Sequence, residues 1–421
     1  MLRKILRSKQ AQMLLALSVT AMPGIQRTLL ALIIQFRFGL HTLGQFTNDV
    51  SIISMIMHFT AIGWANLILV RVPAANGIER LLVVRRLLRY IYPILAIGVV
   101  AILLLGFSPW AFQPWLMGCL LVGWTGYQLI RHFFISLHGY TDLLLIDTLC
   151  TSGMVVLLLL PGSGLSPIFA MGAPLMLLTA VGWLYLMCKS RPINEVRGLA
   201  ASKDLKSGIE FGMTNFFSDG MILLLGPITN FLAGAGYTGL IGLVMSFLGA
   251  ILLFPRALAM YYLPKLVRAD KRTPADFSAV YQSFRRIMLK LLLITAVVVL
   301  LAGIAGGPLL FTEAASLDQA WAISLLLLAI TVVNQTGLPD SSRLMIKEQS
   351  HLMMRVNALA FFTFAVFAII LCLSRIGVES ILLLLVGHLA VTAVRVLLLN
   401  IYARRLHYGS QIEADHVSML R

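Results

Sequence analysis

The sequence predicts an all-α polytopic membrane protein, with about twelve transmembrane helices in two six-helix halves. Three observations carry that prediction. Hydrophobic residues make up 59% of the 421-residue chain and mean hydropathy is +0.91, more apolar surface than a water-soluble fold can hide. The 33 Lys and Arg outnumber the 17 Asp and Glu, and they crowd into alternate connections between apolar runs. The two halves also repeat one another at a fixed offset of 195 residues.

A bilayer core takes about 20 apolar residues per helix. Runs of that kind occur near 11–36, 46–70, 88–107, 112–134, 140–160, 166–188, 208–231, 238–263, 287–309, 319–338, 353–374 and 380–403. The first run follows MLRKILRSKQ and imitates a signal peptide. It continues to about Phe36, too long for a cleavable apolar region, so it reads as a retained first helix. The second closes on Arg71, the third is led by Arg80, Arg85, Arg86 and Arg89, and the sixth ends in the polar break KSRPINEVRGLAASKDLKS over 189–207. That break gives the organisation: residues 1–190 as the first half, 191–207 as a linker, 208–403 as the second half, and 404–421 as a tail. Of all the lysines and arginines, only Arg37 and Arg375 belong to the opposite loops and only Arg27, Arg256 and Arg395 to span interiors, with Arg89, Arg131, Lys290 and Arg355 near span ends counted on the basic side. Basic loops stay on the cytoplasmic side, so both termini are expected there.

The formal net charge of +16 and pI near 10.1 suit anionic lipid headgroups on the inner face. No basic stripe is interleaved with aromatics as in single-strand binders, so nucleic acid is not an expected partner. Cys119, Cys150, Cys188 and Cys372 have no metal-binding spacing and read as small core residues. There is no P-loop, HExxH or CxxC and no nucleophile–base pairing, so neither enzyme chemistry nor a cofactor or metal is expected.

The repeat is clearest after helices 1 and 7. FGLHTLGQF has Gly39 and Gly44, and LAGAGYTGL has Gly234 and Gly239, each pair 195 apart. The same offset superposes Ser51 on Ser246, Ile56 on Ile251 and Phe59 on Phe254. The stripe Thr47, Ser51, Ser54, His58 and Ala61 of helix 2 becomes Gly242, Ser246, Gly249, Leu253 and Arg256 of helix 8. Halves of like topology are related by an axis along the membrane normal, and the substrate site of such transporters lies between repeats.

A helix ending in a Gly-x4-Gly turn, followed by one closing on Arg71, resembles the polysaccharide flippases of the O-antigen (Wzx) type. The second half repeats this with YYLPKLVR at the end of helix 8. That family shares a superfamily with lipid II flippases and multidrug-extruding (MATE) transporters. The resemblance implies a MATE-like V-shaped bundle in a bacterial inner membrane. It further implies a polyprenyl-pyrophosphate-linked oligosaccharide as substrate and polysaccharide polymerase machinery as a partner beside the membrane lipids.

Charges inside the bilayer sharpen this expectation, because an ionisable residue there is costly and by default faces a cavity or a partner. Arg27 lies near mid-membrane in helix 1, and Arg256 follows Pro255 in the inner half of helix 8. A guanidinium binds phosphate bidentately, so both are candidate pyrophosphate ligands. Ser51, Ser54, His58 and Asn215 are the candidate sugar-facing groups. Asp219, the most central acid, is a candidate for ion coupling or for balancing Arg27 or Arg256. Arg395 reads as a snorkelling residue, and Asn334 and His388 read as packing. Two rivals remain: a multidrug exporter of the same fold, which wants acids in its cavity, and a membrane glycosyltransferase or polymerase, which wants longer loops than these.

Overall fold

A computed structural model describes residues 9–419, apart from 74, 76, 78, 109, 161–163, 190–200, 252, 271, 311–316, 348 and 375–378. Among the described residues the fold is helical throughout. The helices are α1 (Lys9–Met57), a π-helical turn (His58–Ile62), α2 (Gly63–Arg71), α3 (Glu79–Leu105), α4 (Pro114–Ser136), α5 (Tyr140–Leu159), α6 (Pro167–Lys189) and α7 (Ala201–Ile251). There follow α8 (Leu253–Asp270), α9 (Pro274–Leu310), α10 (Leu317–Thr336), α11 (Leu338–Ile346), α12 (Ser350–Ser374) and α13 (Glu379–Met419).

Nine helical runs among the described residues are long and apolar enough to cross a membrane. Two are far too long for one crossing. Ser18–Arg71 has 54 residues and Asp204–Gly249 has 46, about 80 Å and about 70 Å of helix at about 1.5 Å per residue, against a hydrocarbon core of about 30 Å. Each run is two helices joined across a kink at a glycine in a conformation closed to other residues, Gly39 (φ 84, ψ 168) and Gly234 (φ 82, ψ 178). Only glycine takes this region freely. With each bent run counted as two crossings, and α4 added, the described helices give about twelve. The two bends carry the repeat into the backbone, 195 residues apart and nearly identical in conformation.

Contacts divide the chain into two compact units, Met1–Leu243 and Val244–Arg421. In the first, α4 packs on α6, α3 and α2, while α1 packs on α5. Its core near the basic end gathers Trp64, Ile68, Leu87, Ile91 and Leu129, with Trp64 stacked on Tyr90 at 6.0 Å. In the second, α8 packs on α9, and α13 on α10 and α12. Here Tyr262, Leu266, Phe284 and Met288 form the core, with Tyr262 stacked on Phe284 at 4.9 Å. The outer faces are apolar instead of polar. On α9, Leu293, Ile294, Leu301 and Ile304 are all exposed, as a bundle solvated by lipid requires.

Helix α7 begins at Ala201, ahead of the apolar run. Its first turns are charged but helix-compatible, with Lys206 and Glu210 paired at i,i+4 over 3.8 Å. Buried Asp204 takes Arg71 from α2 at 2.9 Å and Arg86 from α3 at 3.1 Å. The arginine that closes helix 2 in the sequence is thus a strut between α2 and the start of α7.

Three sequence readings are corrected by the side chains. Arg395 does not snorkel: it is buried, and it donates from Nε to Asn357 Oδ1 at 2.8 Å and from a terminal nitrogen to Asn334 Oδ1 at 3.1 Å. Asn334 is therefore an arginine acceptor and not mere packing. Nor are the cysteines all core residues, since Cys119 and Cys188 are exposed, Cys150 is buried and Cys372 is intermediate.

Candidate functional site

The first unit brings the second arm of α1, the π turn and α2 against α7 along most of their length, and glycines make this possible. A Cβ on Gly44 would lie 1.7 Å from Ala235 O, and one on Gly239 would lie 2.1 Å from Leu40 O. Leu40 and Ala235 are themselves 195 apart, as are Gly44 and Gly239. The contact is self-complementary, each repeat offering the other the same glycine and the same carbonyl. Further along, a Cβ on Gly242 would meet Thr47 Oγ1 at 2.0 Å, one on Gly226 would meet Ser51 Oγ at 2.8 Å, and one on Gly212 would meet His58 O at 2.8 Å. Small residues of this kind let membrane helices approach backbone to backbone.

Midway along this seam the helix of the first repeat is wound as a π turn over His58–Ile62. Such turns shift the side-chain register by one residue and concentrate at functional sites. Trp64 Nε1 donates to Phe59 O at 2.8 Å, and Thr60 and Thr125 share a hydroxyl bond at 3.1 Å. The turn is thereby locked on both sides. His58 is 3% exposed; its Nδ1 lies 2.7 Å from Ser54 O, and its Nε2 lies 3.6 Å from Asp219 Oδ2 on α7. The Asp219 side chain is 53% exposed, so this pair joins a buried imidazole to a half-exposed carboxylate. Phe216 packs edge-on against His58 at 6.3 Å and beside Phe59 at 5.2 Å.

The other sequence candidates fall around this pair. Asn215, half-buried one turn before Asp219, donates back to Phe211 O at 2.7 Å. Ser54 is buried with its hydroxyl oxygen unmatched, and Ser51 fits against Gly226. Arg27 is exposed on the first arm of α1, next to Gln26, which is buried and reaches Met154 Sδ on α5 at 3.0 Å. Measured back from the adjoining Gly39 and Gly234 bends at about 1.5 Å per residue, Arg27 and Asp219 lie at about 18 Å and about 22 Å. The arginine and the acid are therefore at similar depth. Arg256 falls in α8, but its side chain lies outside the described residues. The Asp219 carboxylate lies beside His58, which the sequence reading had kept separate from it.

Two buried clusters lie apart from these candidates. Asp147 on α5 accepts from Tyr127 Oη at 2.7 Å and from Arg131 Nε at 3.2 Å, while Arg131 also donates to Val19 O on α1. Arg131 is thus an internal ion-pair residue, not a loop charge; its spacing of four from Tyr127 on one helix face was the available signal. Asn48 and Asp49, both buried, hold the loop before α4. Asn48 donates to Trp110 O at 2.8 Å, and the Phe112 N–H donates to Asp49 at 3.2 Å. Among the described residues no group of three or more His, Cys, Asp or Glu is placed to hold a metal ion.

No family model and no curated protein matches the chain. Solved structures do. An inward-facing multidrug resistance MATE family transporter of the MOP superfamily matches over 96% of this chain and 95% of its own, with TM-score 0.61 and 12% identity. A MOP superfamily transporter from Pyrococcus furiosus, described by the reverse polarity of its binding pocket as suggesting a different function, matches over 96% and 98%, with TM-score 0.62 and 14% identity. The MATE multidrug transporter DinF-BH, solved in complex with a ligand, matches over 94% and 95%, with TM-score 0.64 and 15% identity.

Proposed function

The chain has the multi-pass fold of the MATE transporters of the MOP superfamily, and from that premise we propose that it is a flippase. Its substrate is a polyprenyl-pyrophosphate-linked oligosaccharide, carried from the inner to the outer leaflet of a bacterial cytoplasmic membrane by alternating access. The observation that carries this reading is Arg27, an exposed arginine at mid-depth on α1. A guanidinium at that depth by default faces a cavity or a partner, and it suits an anionic ligand with planar, bidentate acceptors. In this reading Arg27 holds the pyrophosphate, and Arg256 is a second candidate ligand from the sequence alone. Asn215, Ser51, Ser54 and His58 are the sugar-facing candidates, and Asp219, beside His58, is kept for charge balance.

A second reading rests on Asp219. An acid 53% exposed at this depth also suits a cationic solute, and the fold is shared with multidrug transporters. Deleting the gene and analysing lipid-linked sugars separates the readings. Full repeat units accumulating on the inner leaflet support the flippase, altered drug tolerance supports the exporter, and shortened polymer supports a polymerase.

The basic loops support a topology with both termini in the cytoplasm. Reporter fusions after Gly164 should read external and those after Ala200 cytoplasmic. A cytoplasmic signal at Gly164 would refute the helix count of the first half.

The energetics follow from charge. A pyrophosphate diester carries about two negative charges, and moving them out of a negative interior releases about 2.3 kcal/mol per charge per 100 mV, or about 4–5 kcal/mol in all. The membrane potential then drives flipping while the arginines stay behind, and Asp219 balances them in the empty protein. Asp219→Asn should slow net export about tenfold by leaving a cavity arginine and His58 without that charge, with substrate binding unchanged. A strict need for a proton or sodium gradient at constant potential would instead make Asp219 a coupling residue.

A further inference from the structure

Near the basic end of the first unit, the first turns of α3 and the last turns of α6 part to leave a groove of about 320 Å³. Arg85 and Arg89 stand on one wall, one helical turn apart and so on the same face of α3. Leu88 and Leu186 give it an apolar floor. Trp183 donates from Nε1 to the Tyr92 hydroxyl across the two helices, and both rings are partly exposed, at 44% and 42%. We propose that this groove binds an anionic phospholipid of the leaflet next to the basic loops. The two guanidiniums hold its phosphodiester, and its acyl chain runs along the apolar outer faces of the helices.

Three features select a lipid over a free phosphate. Paired arginines at helical spacing match phosphate geometry, but the apolar floor would leave a soluble ion half unsolvated. A hydrogen-bonded Trp and Tyr beside paired arginines are what the headgroup level of a bilayer favours. Beyond the groove, α6 exposes Val181 and Leu184, and α3 exposes Ile97 and Val100. Basic pockets between membrane helices bind anionic headgroups by this combination of charge and apolar contact. The site is distinct from Arg27 and Asp219, and it does not depend on which substrate the protein carries.

The test uses the full-length protein in neutral detergent, with native mass spectrometry of bound phosphatidylglycerol against phosphatidylcholine of the same acyl chains. Wild type should retain phosphatidylglycerol preferentially. Arg85→Gln with Arg89→Gln should cut that preference roughly thirtyfold, and Arg89→Gln alone, at an exposed side chain, about fivefold. Arg80→Gln should change nothing, because Arg80 bonds Ala75 O at 3.0 Å outside the groove. Equal retention of both lipids by wild type would overturn the proposal. So would an undiminished preference in the double variant, or complete displacement by excess inorganic pyrophosphate, which would mark a soluble-anion site.

Discussion

Gly44→Ala is expected to unseat the first unit. Gly44 lies inside helical backbone, where alanine is ordinarily better than glycine by about 0.5–1 kcal/mol. Here the sign reverses, because the new methyl would sit 1.7 Å from Ala235 O and 2.8 Å from Gly239 N. Both neighbours are backbone, so no side-chain rotation relieves the clash; α7 must move away over its whole seam. Overpacking of this severity costs about 3 kcal/mol or more. Gly239→Ala should fail equally, since it meets Leu40 O at 2.1 Å. Gly236→Ala, with nothing within 4 Å, should be neutral or slightly stabilising. Thermal melts and size-exclusion profiles of detergent extracts decide the matter. A Gly44→Ala protein as stable as Gly236→Ala would rule out the close seam.

The second large effect concerns Arg27. Loss of a charge-assisted bidentate contact in a dry site costs about 2–5 kcal/mol, or roughly thirty- to several thousandfold in transport. Arg27→Ala should therefore abolish export while the protein still inserts, since the side chain is exposed. Arg27→Lys should recover only part of the activity, a point charge replacing a planar fork. Full export by Arg27→Ala at normal expression would remove this residue from the site.

Much of the fold was legible because a bilayer allows few solutions. Spans must be apolar and about 20 residues long, and charge must sort between the two sides, so composition and loop bias together pointed to an all-helical, roughly twelve-crossing protein. The 195-residue repeat was legible through Gly39, Gly44, Gly234 and Gly239, because glycine is required where φ is positive or backbones touch. The same residues show where legibility ends. The sequence could align Gly44 with Gly239, but it could not show that each faces the other repeat's carbonyl, because contact between segments so far apart depends on the path of α7.

The site was legible only residue by residue. Arg27, His58 and Asp219 stood out because ionisable groups in apolar runs are rare and costly. Their pairing was not readable: helical periodicity places a side chain on a face, while its neighbour is set by helix rotation and by the π turn at His58–Ile62, which has no compositional signature. Arg395 shows the same limit from the opposite side. Its position two turns from the end of the predicted span 380–403 fits a snorkelling residue, yet Asn334 and Asn357, distant in sequence, capture it in the interior. The sequence by itself determined that this chain lies in a membrane, crosses it about twelve times and repeats itself, because those properties follow from local hydropathy, charge and glycine. Tertiary structure alone decided which charges meet, because a buried charge is settled by whatever partner the packing brings within reach.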